Sequence, residues 1–561
     1  MKMSDRSRVR SGARILVDAL KDHGVEISFG VPGESYLAVL DAMIDSSIEF
    51  VTCRQEGGAA MMAEAVGKLT GKPGICFVTR GPGATNASAG IHVAKQDSTP
   101  MILFVGQIDS DFRYREAFQE VDYHAFFGSM TKLVIEIDNA ARIPELVARA
   151  FRVATQGRPG PVVVALPENM LTAEVTVADA PVSEPAAPHP GETDMATLGR
   201  MLEKAERPVV VVGGSRWSES AVSYLIDVAE TLDLPVITSF RRQMLFPAHH
   251  RCYGGHLGIG PNPKLLQRIR ESDLVILIGG RLGEMPSQSY GLFDIPQPQM
   301  PFVHIHPDAD ELGKVYQPVL AVQATPETFV SALHRLARQQ KAHTAQGWTN
   351  ALHAEDEVWT ETPGENPGEV QMGEIVTWLR GNLPPDAILT NGAGNYAGWL
   401  HRYYRFGRYG SQLAPNSGSM GYSVPAAIAA KLVRKTSTVV AFAGDGCFQM
   451  TCQELGTAVQ HDAAVIIIVV DNGIYGTIRM HQEREYPARV FGTSMVNPDF
   501  AALARAYGAH AETVTATAEF GSAFERSRAS GKVALIHVKL DPEAISPTTT
   551  LSTLRARSMA S

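Results

Sequence analysis

Short runs of consecutive apolar, often β-branched residues recur along the chain, separated by stretches long enough for helices. ICFVT (75–79), MILFVG (101–106) and VVVAL (162–166) form a first group, and PVVVVGG (208–214), PVITS (235–239), LVILIGG (274–280) and PFVHIH (301–306) a second. AILTNG, STVVAFAGDG, AVIIIVVDNG and ALIHVKL form a third. These runs are apolar throughout rather than at alternate positions, and Gly or Pro bounds them. That pattern predicts strands buried on both faces, hence parallel sheets covered by helices on each side. Two polar, Pro-rich stretches, 177–194 and about 339–369, break the pattern and read as linkers. The expectation is an α/β protein of three consecutive doubly wound domains, spanning 1–180, 195–340 and 370–545, with 546–561 as a tail.

Composition narrows the function classes. Lys and Arg number 50 against 59 Asp and Glu, a net charge of −9 that offers no basic stripe for a nucleic acid. Hydrophobic residues at 45% and charged residues at 19% exclude wholesale disorder. The five cysteines contain no CxxC, so neither a disulfide framework nor a zinc knuckle is indicated. The first twenty residues lack the apolar core of a signal peptide, and no run is long and apolar enough to span a membrane. The expectation is a cytoplasmic protein that binds neither membrane nor nucleic acid and acts on small molecules.

In doubly wound sheets ligands sit beyond the C-terminal ends of strands, so the residues at those ends are the candidates for chemistry. TVVAFAGDGCFQMTCQELGTAV reads as a strand, a tight Gly444-Asp445-Gly446 turn and a helix starting near Phe448. Asp445 supplies a carboxylate for a divalent cation, and the amides that follow, Gly446 and Cys447, point phosphate donors toward a helix N-terminus. The next strand ends in Asn472. Neighbouring parallel strands would set Asp445 and Asn472 side by side, and a carboxylate, an amide oxygen and a nearby backbone carbonyl suit octahedral Mg2+. A lone Gly-Asp-Gly is a turn; the flanking strand, the helix and the following Asp-Asn make it a candidate site.

In the first block, Glu56 follows a short strand and opens a Gly/Ala-rich helix. A first-turn glutamate is favoured by the helix dipole alone. Gly57, Gly58 and the alanines after them also leave room for something bulky to approach.

These motifs are similar to those of the thiamine-diphosphate enzymes of the acetolactate synthase/2-oxo acid decarboxylase group, over nearly the full length. The resemblance implies a pyrimidine-binding domain first, a central domain second and a diphosphate-binding domain third. It implies that Asp445, Asn472 and the carbonyl of Ile474 hold Mg2+. Gly444, Gly446 and Cys447, with Gly394 and Asn395 of LTNGAGNY, fall on the diphosphate. In the turn Gly418-Ser-Met420-Gly421, the carbonyl of Gly418 would receive the 4′-amino group and Met420 would wedge the bent cofactor, although Met420 by itself reads equally as core filler. Glu56 would hydrogen-bond N1′ of the aminopyrimidine and relay its proton. Val31, Pro32, Gly33, Thr79 and Pro82 fall at cofactor-binding positions, Val31 against the pyrimidine and Gly33 and Pro82 at the reacting centre. Phe118 and Gln119 would face substrate, Gln119 joining Glu56 as a catalytic residue; Phe118 reads otherwise as a core aromatic. The family's relay glutamate and diphosphate site come from different subunits, which implies a homodimer or homotetramer with active sites at the subunit interface.

Departures from the family pattern bear on substrate. Arg80 stands where a small residue is usual, placed either to hold a substrate carboxylate bidentately or to pair with Glu34. His124 is a single histidine where simple decarboxylases use a pair. His481 occupies the position of a tryptophan in anabolic acetolactate synthases, with Ile478 at the aliphatic position; His481 reads otherwise as a solvent-facing residue of a lid helix. The central block lacks GxGxxG after its first strand. Relatives either bind FAD there or leave the place empty, and Arg281 with GGHLGIG (254–260) resembles FAD-contacting positions, so FAD stays open. The leading expectation is a thiamine-diphosphate- and Mg2+-dependent lyase or transferase that decarboxylates a 2-oxo acid and ligates the product to a carbonyl acceptor. The alternatives are a decarboxylase releasing an aldehyde, an FAD-linked oxidase and, from a different class, a non-catalytic binding or regulatory subunit.

Overall fold

The computed structural model describes residues 9–340, 345 and 347–560. Its eighteen long-sheet strands fall into three six-stranded sheets, each parallel throughout. The first sheet comprises β1 (Ile27–Gly30), β2 (Glu49–Thr52), β3 (Gly74–Val78), β4 (Met101–Gln107), β5 (Leu133–Glu136) and β6 (Pro161–Pro167). The second comprises β7 (Pro208–Val212), β8 (Val236–Thr238), β9 (Tyr253–His256), β10 (Leu274–Ile278), β11 (Phe302–His306) and β12 (Leu320–Gln323). The third comprises β13 (Ile388–Asn391), β14 (Gln412–Leu413), β15 (Val439–Gly444), β16 (Ile466–Asp471), β17 (His510–Val514) and β18 (Ala534–Lys539). β3, β4, β6, β7 and β10 are buried at every position, as continuous apolar strands must be when helices cover both faces.

The first sheet runs β2-β1-β3-β4-β6-β5 and the third β14-β13-β15-β16-β18-β17, the same order. The second runs β9-β8-β7-β10-β11-β12. Each sheet therefore has a central point where the connections change direction, β1/β3, β7/β10 and β13/β15, and in the first and third sheets the last connection also turns back. Outside the strand ends at such a point a crevice opens in doubly wound folds.

The contacts divide the chain into two compact units. One holds the first sheet, through Ala186, together with Val424–Lys435 and Thr451–Ala463; the other holds the second and third sheets. Two segments sequentially inside the third block thus pack with the first sheet, an allegiance that periodicity does not record.

Five helices matter below: α1 (Glu56–Thr70), α2 (Trp348–Glu361), α3 (Asp445–Gln449), α4 (Gly476–Glu485) and α5 (Leu551–Ala560). The structure corrects three expectations. α2 lies inside the supposed second linker, of which residues 341–344 and 346 fall outside the described residues; Trp348 and Leu352 bury in a core cluster of the second sheet, and Trp348 Nε1 donates to the carbonyl of Pro208 at 3.0 Å. The supposed tail folds as α5, whose Leu551 and Leu554 join Ile474, Met480 and Ile545, and whose Arg555 pairs with the buried Glu483 of α4. The helix after the Gly-Asp-Gly turn begins at Asp445 itself rather than near Phe448, and is one short turn. No helix among the described residues is long and apolar enough to cross a membrane.

Candidate active site

In the first unit, the predicted residues after β1 and β3 meet at the β1/β3 switch point. Gly33 sits against Thr79: a Cβ on Gly33 would lie 2.4 Å from that of Thr79. Ser35 and Thr79 hydroxyls are 2.8 Å apart, and Val31 offers its carbonyl to the Tyr36 hydroxyl. Pro32 is exposed and Val31 half-buried. Gly81, at φ 60°, turns the chain so tightly that a Cβ would fall 2.7 Å from Cβ of Gln119. Pro82 then opens a short helix whose Gly83 approaches the Glu56 carboxylate.

Glu56 is the first residue of α1. The Gln55 side chain caps that helix by accepting from Gly58 N at 2.9 Å, and Gly71 in the left-handed conformation ends it. Glu56 is half-buried, and Asn86 Nδ2 donates to its Oε2 at 3.0 Å. The structure thus gathers Gly33, Glu56, Thr79, Pro82 and Gln119. The glycines after Glu56, however, do not open onto free space. A Cβ on Gly58 would lie 2.8 Å from Oε1 of Glu454, and one on Gly57 would lie 3.1 Å from the Asn86 carbonyl.

Of the two roles open to Arg80, the structure shows the pairing. Its buried guanidinium binds Glu34 Oε1 at 2.9 Å, contacts Glu168, and donates from Nε to the Phe118 carbonyl at 3.3 Å. Phe118 is not a core aromatic: it is 73% exposed, beside Gln119 at φ 66°. His124 is exposed, whereas its neighbour Tyr123 is buried with its hydroxyl accepting from Gly81 N at 3.0 Å.

In the second unit, three loops converge at the β13/β15 switch point. Gly392 N donates to the Tyr396 hydroxyl at 3.0 Å, and that hydroxyl donates to Cys447 Sγ at 3.4 Å. Cys447 Sγ also accepts from Gly421 N at 3.1 Å. The buried thiol therefore ties the 392–395, 418–421 and 444–447 loops together, and burial pushes its pKa up. Gly394 (φ 147°) and Gly444 lie against the Tyr396 ring. A Cβ on Gly446 would lie 2.8 Å from the Tyr475 ring and 3.5 Å from Met420 Cε, while around Gly418 (φ 67°) a Cβ would meet open space. Met420 is half-buried, packed on the core of the third sheet beside the Gly-Asp-Gly turn.

Asp445 is 4% exposed. Its Oδ1 accepts from Gly446 N at 2.8 Å, and its Oδ2 from Gly473 N at 2.9 Å and from Asn497 Nδ2 at 2.8 Å. The bond from Gly473 brings the Asn472–Ile474 turn onto Asp445, with Asn472 Oδ1 3.3 Å from Ile474 N. Burial pushes the Asp445 carboxyl up to about 6, and the Asp471 charge adds to that. For Asp471 burial works in the same direction, but hydrogen bonds from His537, Lys539 and Asn497 outweigh it and hold the group well below the usual carboxylate range. A carboxylate, an amide oxygen and a carbonyl at two neighbouring strand ends are hard oxygen donors that fit Mg2+. Among the described residues no group of three His, Cys, Asp or Glu side chains could hold a metal by itself, so such a cation would draw on the Asn and carbonyl donors.

Asn395 joins this loop to α4: Thr477 Oγ1 donates to its Oδ1 at 2.9 Å. On α4, Ile478 and His481 are exposed, and His481 Nδ1 accepts from Arg484, as the solvent-facing reading expects. In the second sheet, the β7 and β10 ends close on each other at the switch point, where a Cβ on Gly214 would lie 1.8 Å from the Gly279 carbonyl. The nearby cavity lined by Arg281, His304, Glu311, Lys314 and Tyr316 measures about 20 Å3, room for one water.

Comparison with known proteins matches these three sheets in turn. Residues 10–126 match the thiamine pyrophosphate enzyme N-terminal TPP binding domain, 195–333 its central domain and 392–538 its C-terminal TPP binding domain. The chain is 31% identical over 541 residues to the acetolactate synthase isozyme 2 large subunit of Escherichia coli, covering 95% of this chain and 96% of that one. The chain belongs to this family of thiamine pyrophosphate enzymes and is acetolactate synthase-like. It is also 32% identical to the acetolactate synthase large subunit of Corynebacterium glutamicum (92% of this chain, 84% of the relative) and 31% identical to that of Lactococcus lactis (91% and 89%).

Within this acetolactate synthase-like frame, sequence reasoning missed Asn497, Asp471, Tyr123, Tyr396 and Glu454. Asp471 stood in the DN pair already read for Asn472. Tyr396 closes the LTNGAGNY run and takes Gly392 N four residues back, but its bond to Cys447 is distant. Asn497, Tyr123 and Glu454 carried no local signal, because each acts on a loop far from it in the chain.

Proposed function

We propose that the protein decarboxylates a 2-oxo acid with thiamine diphosphate and Mg2+ and joins the remaining carbon fragment to a second carbonyl compound, as an acetolactate synthase does. The observation that carries this reading is the buried Asp445 with the Asn472–Ile474 turn hydrogen-bonded onto it, at a switch point whose loops are lined by Gly394, Gly418 and Gly446. Bound thiamine diphosphate would supply the electron sink for decarboxylation. Asp445, Asn472 and the Ile474 carbonyl would hold the cation. Gly444, Gly446 and Cys447, with Gly394 and Asn395, would face the diphosphate, and Gly418 and Met420 the rings.

In the first domain, Val31, Pro32, Gly33, Thr79 and Pro82 would line the pyrimidine, and Glu56 would hold and move the proton at N1′. Gln119, Phe118, Ile478 and His481 would face substrate, with His124 at the rim. Arg80, tied to Glu34 and Glu168, shapes this pocket rather than binding a carboxylate. The proposed division is pyrimidine domain 1–180, central domain 195–340 and diphosphate domain 370–545, in a cytoplasmic homodimer or homotetramer whose subunits share active sites. The exposed Phe118 supports a further surface covering the first domain's site. FAD is not part of the proposal.

Incubation with pyruvate, thiamine diphosphate and Mg2+ tests the reading. Acetolactate with CO2 is the expected result. Acetaldehyde or acetate in its place overturns the carboligation, and absence of CO2 from a panel of 2-oxo acids overturns the enzyme.

A further inference from the structure

The turn that delivers Glu56 is clasped by residues far away in the chain but inside the same compact unit. Arg54 N donates to both carboxylate oxygens of Glu454, at 3.2 and 3.3 Å. Thr52 N donates to His461 Nε2 at 3.2 Å. The Arg54 guanidinium reaches the Gly456 carbonyl at 3.2 Å and Gln460 Oε1 at 2.7 Å. Thr457 Oγ1 binds Glu454 Oε2 at 2.6 Å and approaches the Thr52 carbonyl at 3.4 Å.

At the centre is Glu454, 0% exposed. A carboxylate is costly to bury unless it is hydrogen-bonded. This one is directed at the amides just ahead of α1, at the positive end of that helix, where its charge is favoured. Its approach requires a missing side chain: only a glycine at 58 leaves room for Oε1. A side chain that merely filled space there would not need a charge. One that takes the amide of residue 54, two places before Glu56, sets the backbone from which Glu56 projects.

We propose that Glu454 is a positioning residue for proton transfer by Glu56, holding the turn at residues 54–58 so that the Glu56 carboxylate meets its partner in a fixed direction. The inference rests on the reading of Glu56 as the proton-relay residue. The test measures two quantities on the full-length protein: thiamine diphosphate affinity, from the change in protein fluorescence on titration with Mg2+ present, and C2–H exchange of the bound cofactor, from acid-quenched NMR. Glu454→Ala is expected to keep cofactor affinity within about threefold while exchange falls on the order of 100-fold, the scale of a misplaced reacting group. Glu454→Gln, which keeps an oxygen acceptor at the same reach, is expected to recover at least about tenfold of that loss.

Exchange in Glu454→Ala within about threefold of wild type overturns the inference, as does a loss matched by an equal loss of cofactor affinity, or a Gln variant no better than Ala. Should Glu454→Ala fail to fold, Gly58→Ala gives the same split by pushing a methyl group into the carboxylate, and unchanged exchange in it overturns the inference equally. If wild-type protein binds the cofactor without exchange, the reading of Glu56 falls and this inference with it, an outcome visible in the wild-type sample alone.

Discussion

Two carboxylates stand at the ends of strands in two sheets of the same order, and they are held in opposite ways. Asp445 is almost wholly buried, with three hydrogen bonds from its own unit fixing both oxygens. Glu56 is half-buried, with Asn86 on one oxygen, and the precision of its placement lies in the backbone beneath it, clasped through Arg54 and Thr52. The difference follows from the work proposed for each. A metal ligand must be in place before the ion arrives, so its oxygens are oriented in advance. A proton carrier must reach a group that is not part of its own unit, so its turn is fixed and its carboxylate left accessible.

That contrast predicts separable losses. Glu56→Gln is expected to lower kcat by about 10²- to 10⁴-fold, the range for a positioned acid–base group, with thiamine diphosphate affinity unchanged. Steady-state kinetics beside a cofactor titration checks it; a parallel loss of affinity would mean that Glu56 holds the cofactor rather than moving its proton.

A third carboxylate shows what burial does when hydrogen bonds do not accompany it. Asp356 of α2 is buried, its Oδ2 makes no hydrogen bond, and Arg405 is 3.8 Å away. Burial pushes its pKa up to about 7, Arg405 opposing and Glu357 adding. A raised folded-state pKa gives stability that is present below the unfolded value near 4 and lost as pH climbs through about 7. Asp356→Asn is therefore expected to stabilise the protein at pH 8 by on the order of 3 kcal/mol, and much less at pH 4.5. Urea unfolding of both proteins at the two pH values decides this, and an equal effect at both would remove the titration from the account.

How much of this was legible in the sequence varies with the range of the contact. The continuous apolar strands, the Gly-Asp-Gly turn, Asn472 and the placement of Glu56 at a helix start are local features, and local pattern carried them. The partner of Arg80 was half visible: Glu34 lies in the neighbouring strand-end turn, whereas Glu168 follows a strand in another part of the sheet. α2 was hidden by its own composition, since Trp348 and Leu352 are the hydrophobic residues it buries, and the others it buries, Thr349, Asp356 and Thr360, are polar and read as solvated linker. Gly58 was misread because a glycine signals close approach without saying of what, and the answer, Glu454, stands nearly four hundred residues further on. The held geometry of both carboxylates belongs to this long-range class.

Asn497 offers the finest cut through the comparison. Its Nδ2 donates to Asp445 Oδ2 at 2.8 Å and to Asp471 Oδ1 at 2.7 Å, so one amide orients the proposed metal ligand and stands between two carboxylates at neighbouring strand ends. A partner that orients a ligand without touching the metal is worth about 10- to 100-fold in affinity. Asn497→Ala is accordingly expected to raise the Mg2+ concentration needed for half-maximal activity by about that factor, with kcat restored at saturating Mg2+. Glu56→Gln, by contrast, should leave the Mg2+ requirement where it was. The two variants therefore fail along different axes if Asp445 is held for a metal and Glu56 for a proton. If Asn497→Ala instead lowers kcat at every Mg2+ concentration, the amide acts on the chemistry rather than on the ligand, and the division between a preset site and an accessible one no longer describes this enzyme.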